Sequence, residues 1–327
     1  MARVVLGLAT SRSPMVSVPA EMWPLLGERD QRNRRLKDRW GNPVTYAELL
    51  EHVGPEIAAE LTADVWRRKY EASQKAIEVL SDTLAEVAPD VVVIMGDDEE
   101  ENIHDDNRPA ITVYWGDEYL NTPRAVGPEA DELTRLSAAA WGDMRATYPV
   151  ATDLGRHIIE SLIDAEFDVG SSRFQKPGEG MAHGFGFVYQ RLLKHRPVPA
   201  VPIILNVHTP PNQPTPKRLY EFGRAVRHAV EAWPSDLRIA VIATGGLSVG
   251  IVDEELDQAT LGAMQARDVQ ALSNLPRTWM QGSQGEVLCW IAAAGAVEHL
   301  HMELLGYIPG YRSSAGTGCG MAFARWL

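Results

Sequence analysis

Val91-Val92-Val93-Ile94-Met95 puts five apolar residues in a row, with Pro89 just before and Gly96 just after. A short, largely β-branched run without polar alternation predicts a strand covered on both faces. Such strands belong to sheets sandwiched between helices, which confines the chain to an α/β architecture. The residues just beyond the run matter as much. After Gly96 come seven carboxylates within ten residues, Asp97 to Asp106, with His104 among them. In open α/β sheets ligands bind beyond the carboxyl ends of the strands. Asp97, Asp98 and His104 are therefore expected at the mouth of a site. Glu99, Glu100 and Glu101 read as its solvated rim, the ordinary place of a charge run.

The rest of the chain repeats the alternation. Strands are expected at 4–8, 110–114, 201–205 and 238–243. Helices are expected at 59–87, 153–165, 216–231 and 285–296. Strands alternating with helices predict a central mixed or largely parallel sheet flanked by helices. The loop-like stretches 116–129 and 170–180 are the weak points of the pattern, and neither breaks it. One domain over 1–327 with long loops is the expectation.

The 327 residues carry a formal net charge of -13, which argues against nucleic acid as a partner. The basic run from Arg29 to Arg39 has no interleaved aromatics. It is expected to pair with acidic surface or to rim a site. Cys289 and Cys319 form no disulfide framework or metal spacing, which suits a reducing cytosol. No apolar stretch approaches a membrane span, and the amino terminus reads as a strand. A cytoplasmic protein without membrane contact is expected.

Several strand ends carry polar or glycine-rich turns: Thr10-Ser11-Arg12-Ser13-Pro14, Gly96-Asp97-Asp98, Asn206-Val207-His208 and Gly245-Gly246-Leu247-Ser248. In one sheet they converge on one edge. His183, flanked by Ala182 and Gly184, can approach a ligand closely. Glu286 opens a helix, where the dipole favours a carboxylate. The chain has no Gly-x-x-x-x-Gly-Lys loop, Gly-x-Ser-x-Gly elbow or His-Glu-x-x-His motif.

These turns, in this order, resemble the class III extradiol ring-cleavage dioxygenases, the superfamily of the protocatechuate 4,5-dioxygenase catalytic subunit. The markers also include Gly282-Ser283-Gln284-Gly285-Glu286 with Trp290, and the glycine-rich tail from Tyr311 to Gly320. The resemblance implies an extradiol dioxygenase catalytic-subunit fold, often dimeric, which makes a homodimer the expectation. It also implies Fe(II) held by two histidines and a glutamate, with a further histidine as acid/base group. Glu286 matches the glutamate ligand and His183 the acid/base histidine. Arg12 stands where the first histidine ligand falls, and Asp98 where the second falls. Val249 stands where a histidine closes the Gly-Gly-x-Ser turn. An arginine stays protonated and cannot ligate a cation.

The favoured reading is an enzyme without a cofactor, acting on a small anionic phenolic or aromatic substrate or a ring-derived oxo-acid. Its reaction would be hydrolysis, decarboxylation, hydration or C–C cleavage, which makes a lyase or hydrolase the expectation beside the oxidoreductase that the resemblance implies. His183 serves as acid/base group and Arg12 as anion anchor, with Asp98 and Glu286 holding Arg12 or relaying protons. Asp97, Asn206, His208, Ser248 and His104 are the expected substrate contacts, and Trp115, Trp290, Phe185 and Tyr311 the candidate pocket walls. Two alternatives stay open. One is an Fe(II) dioxygenase with rearranged ligands drawn from Glu286, Asp98 and His104, with His183 and His208 nearby. The other is a non-catalytic homologue or partner subunit.

Overall fold

The computed structural model describes residues 1–142, 144–280 and 282–327; the side chain of Ser283, in the marker segment before Glu286, lies outside this description. Eleven strands are described: β1 (Arg3–Thr10), β2 (Val91–Asp97), β3 (Ile111–Tyr114), β4 (Glu118–Asn121), β5 (Ala146–Pro149), β6 (Gly170–Ser172), β7 (Ala200–Leu205), β8 (Arg238–Thr244), β9 (Val249–Ile251), β10 (Met302–Tyr311) and β11 (Thr317–Trp326). Among the described residues, nine of them share one sheet in the order β10-β11-β1-β8-β2-β7-β3-β6, with β9 on β11. β4 and β5 form a separate antiparallel ribbon.

The centre of the sheet, β1-β8-β2-β7, is parallel throughout. All seven residues of β2 are buried, as the uninterrupted apolar run predicts. Alternate residues feed two cores. Val91, Val93 and Met95 pack with the helices Thr152–Asp164, Pro216–Ala232 and Val287–Ala296. Val92 and Ile94 pack with the helix Ala63–Val87 and the segment around Phe185.

The sheet's edges depart from expectation. The segment 110–114 does form a strand, but it runs antiparallel to β7. β10 and β11 form a long antiparallel hairpin in a region that reads only as a tail in sequence, and β11 closes against β1. Glycines and Pro309 interrupt the apolar alternation there, which hides the hairpin from a pattern reading. The helix expected at 285–296 begins as a 3-10 turn over Gly282–Glu286 and becomes α-helical at Val287. Its depth is set by glycine. A Cβ on Gly223 would lie 1.9 Å from the Ala292 carbonyl oxygen, and one on Gly295 would lie 2.1 Å from that of Tyr220. The two helices can cross this closely only without those side chains, and the crossing carries Glu286 to the sheet's carboxyl edge. No helix among the described residues is long and apolar enough to cross a membrane.

Candidate functional site

The four parallel central strands end at one edge, and each delivers a polar turn there. β1 delivers Arg12, β2 Asp97, β7 His208, and β8 the Gly245-Gly246 turn. Arg12 is 5% exposed and occupies the middle. Its Nη2 pairs with Asp97 and lies 3.8 Å from Glu286 Oε2. Its Nη1 contacts Nε2 of His183 and lies 3.4 Å from Glu99 Oε1. Its Nε is buried without a hydrogen-bond partner among the described residues. Gly184 makes room for the guanidinium, since a Cβ there would meet Arg12 Nε at 2.9 Å.

Each partner of Arg12 is itself held. Asp97 also accepts a bond from Nε2 of His208. Glu286 accepts from the Gly246 amide, and that turn is fixed by Trp290, whose ring N–H donates to the Gly245 carbonyl at 2.9 Å. His183 is oriented by Glu101. The Glu101 carboxylate lies 3.0 Å from His183 Nδ1 and accepts the His183 backbone amide at the same distance. Trp141 lies against the His183 ring, centroids 4.6 Å apart, and the Arg124 guanidinium covers Trp141 at 4.4 Å. A cavity of about 590 Å³ opens over this group, lined among others by Arg12, Glu99, Arg124, Trp141, His183 and Glu286. That is room for a ring-sized ligand.

The charges settle around Arg12. Burial pushes the Asp97 carboxyl up, yet Arg12 and His208 hold it well below the usual carboxylate range. Burial opposes a charge on His208, but Asp97 foremost raises its pKa to about 9. Glu286 goes up, because burial and the neighbouring Asp97 and Glu99 outweigh Arg12. Glu99 goes down despite burial, through His183, His208 and Arg12.

Several expected site residues stand elsewhere. Asp98 does not face Arg12. Its carboxylate accepts the backbone amides of Glu101, Asn102 and Ile103 and the Asn102 side chain. It therefore anchors the acidic turn from within, and Asp97 is the carboxylate that meets the arginine. His104 is 42% exposed and 3.6 Å from Glu179, outside the cluster. Asn206 ties the following loop together through Thr209 and Asn212. Ser248 donates from both its amide and its hydroxyl to Asp257. The aromatic walls also differ. Trp290 and Phe185 are core residues, Trp115 bonds Ser171, and Tyr311 lines a separate cavity. Conversely, Glu99 and Glu101, expected on a solvated rim, are part of the site, and Trp141 and Arg124 carry no signal in sequence. The basic run divides as expected: Arg29 lines the cavity while pairing with Asp131, and Arg39 pairs with Asp253 and Glu255.

Asp257, which fixes Ser248 and also accepts from the Tyr307 hydroxyl at 2.8 Å, supports the glycine turn. Burial, only partly offset by these bonds, raises its pKa to about 7. The stability tied to its protonated form is complete below the unfolded carboxylate value and is lost as pH rises through about 7. Asp257→Asn cannot lose it. Urea midpoints should therefore move in the variant's favour, relative to wild type, as pH rises from about 5 to about 8. A difference independent of pH would refute this account of Asp257.

The residues do not fit the iron centre that the resemblance implies. Asp97, Glu99, His208 and Glu286 do bring ligand atoms within 4.8 Å of one another. That set offers one imidazole and three carboxylates, where the Fe(II) facial triad uses two imidazoles and one carboxylate. The Arg12 guanidinium, permanently charged, lies among the same atoms.

Comparison with known proteins agrees with the architecture. The family model for the catalytic LigB subunit of aromatic ring-opening dioxygenase matches residues 47–320. Arg12 and the turn after β1 precede that stretch. A gallate dioxygenase from Pseudomonas putida is 34% identical in an alignment of 174 positions that covers 48% of this chain and 49% of that protein. The chain spans about half the length of this curated relative.

Proposed function

The chain belongs to the family of the catalytic LigB subunit of aromatic ring-opening dioxygenases, and on that premise we propose that it acts on a small anionic phenolic or aromatic compound, or a ring-derived oxo-acid, by acid/base chemistry that needs no metal. One observation carries the reading: a buried guanidinium lies among Asp97, Glu99, Glu286 and His183. An arginine only donates, so its contact with His183 Nε2 leaves that nitrogen with the lone pair. The imidazole proton then sits on Nδ1, against Glu101.

A substrate hydroxyl that takes the place of Arg12 at Nε2 meets a base of defined tautomer. The proton passes from the substrate oxygen to Nε2, and Glu101 balances the imidazolium. The oxyanion left behind faces Arg12, a fixed and buried positive charge. His183 then returns the proton to the carbon or leaving group. These steps balance for decarboxylation and C–C cleavage, whereas in hydrolysis or hydration a water is the hydroxyl that gives Nε2 its proton and adds to the substrate. Gallate, the compound in the relative's name, is the first substrate to try.

A second reading, an Fe(II) dioxygenase with rearranged ligands, draws on the four ligand-capable residues within 4.8 Å. It requires Arg12 to leave their midst. Metal analysis of purified protein, with turnover measured before and after chelation, separates the two. Turnover that survives chelation in protein with substoichiometric iron is expected. Stoichiometric iron, with oxygen uptake on catechols that chelation abolishes, would replace the first reading by the second.

A further inference from the structure

We propose that the Arg12 Nη1 corner, flanked by the His183 and His208 rings, is a receptor for a single oxyanion, and that Glu99 is its built-in occupant until a substrate phenolate or carboxylate displaces it. The inference rests on the reading that the pocket takes an anion. Glu99 Oε1 lies 3.4 Å from Arg12 Nη1, 3.8 Å from His183 Nε2 and 4.0 Å from His208 Nε2. One oxygen thus sits within 4.0 Å of three nitrogens, of which Arg12 Nη1 is the donor; His183 Nε2 carries a lone pair, and His208 Nε2 gives its proton to Asp97. An anionic substrate oxygen needs that same Arg12 donor, and two anions cannot share it.

Glu99 is the carboxylate built to leave. Asp97 is buried and holds both Arg12 and His208. Glu286 is buried and held by the Gly246 amide. The Glu99 side chain is 43% exposed, and partly exposed ion pairs are weak enough to exchange. The turn around it stays put, because Asp98 pins the amides of residues 101 to 103. Only the side chain has to rotate. It also has somewhere to go. Glu99 lines a second cavity of about 400 Å³ that Arg35 and Lys37 border. Swinging from the first cavity to the second exchanges Arg12 for Arg35 and Lys37, with His208 lining the second cavity as well.

The test uses benzoate as the probe anion, with binding measured by calorimetry on the whole chain. Glu99→Gln removes the competing charge but keeps the shape of the side chain. If the receptor is open in about a tenth of wild-type molecules, the variant should bind benzoate about tenfold tighter. Glu99→Asp, which draws the carboxylate back, should fall between the two. Replacing Arg35 and Lys37 together by Gln should weaken benzoate binding to wild type and leave binding to Glu99→Gln unchanged. Equal or weaker binding by Glu99→Gln would overturn the displacement and leave the anion site standing. Failure of every protein to bind benzoate would overturn the anion reading and this inference with it.

Discussion

Arg12→Met is expected to cost about 3–5 kcal/mol of stability at pH 8, the range for removing one partner from a buried ionic cluster. The side chain is 5% exposed, and its charge is shared by Asp97, Glu99 and Glu286. Without it, Asp97 keeps His208 as its cation, while Glu286 keeps the Gly246 amide and the shared charge of His208. The pH dependence fixes the cause. Arg12 helps to hold the Asp97 and Glu99 carboxyls down. Their contribution is present above the unfolded carboxylate values and is lost only as pH falls through the folded ones. In the variant these acids take up protons at higher pH, so its deficit should shrink between about pH 8 and pH 5. Urea denaturation at both pH values decides. A deficit under about 1 kcal/mol, or one that pH leaves unchanged, would mean that Arg12 is not the counter-ion. Arg12→His gives the complementary result. It removes the fixed cation and adds an imidazole beside Asp97, His208 and Glu286, so the variant should bind a divalent metal that wild type binds poorly. The substitution leaves Asp98 in place, where a histidine would break the turn.

The four strand ends that build this edge are visible in sequence, because apolar runs followed by Gly, Asp or Asn mark strand-to-loop transitions. The choice between Asp97 and Asp98 is not. β2 is buried on both faces, so its composition shows no alternation, and neighbouring residues point to opposite sides. The structure supplies the missing parity. Val91, Val93 and Met95 share one core, and Asp97 continues that face toward Arg12 while Asp98 turns back into its own loop. Glu99 and Glu101 fail differently. In sequence they are two of three consecutive glutamates, with the character of a solvated run. Glu101 finds its N–H partners only where the chain returns at His183, more than eighty residues later, and Glu99 finds its cation in Arg12, at the end of a different strand. Trp141 and Arg124 reach the site from a stretch with neither strand nor motif to announce them. The β10–β11 hairpin escapes a pattern reading because glycine and proline mask its period, although β11 seals the edge of β1 from which Arg12 emerges.

His183→Ala should lower kcat by about 10²–10⁴, the usual worth of a positioned acid/base group, with KM changed far less. The division of labour around the ring is the reason. Arg12 marks Nε2 as the acceptor, Glu101 takes the Nδ1 proton, and Trp141 covers a face. None of these neighbours can move a proton in its place. Glu101→Gln keeps an acceptor oxygen but removes the charge that balances the imidazolium, so its kcat should fall less than that of His183→Ala. If the two act as one unit, the double variant will be no slower than His183→Ala alone, since Glu101 has nothing to orient once the ring is gone. Single-turnover rates on chelator-treated protein give all three values. Multiplicative losses would mean that Glu101 acts on the substrate independently. Wild-type turnover by His183→Ala would remove His183 from the chemistry and turn the search to Glu286, a buried carboxyl at this edge whose pKa is raised.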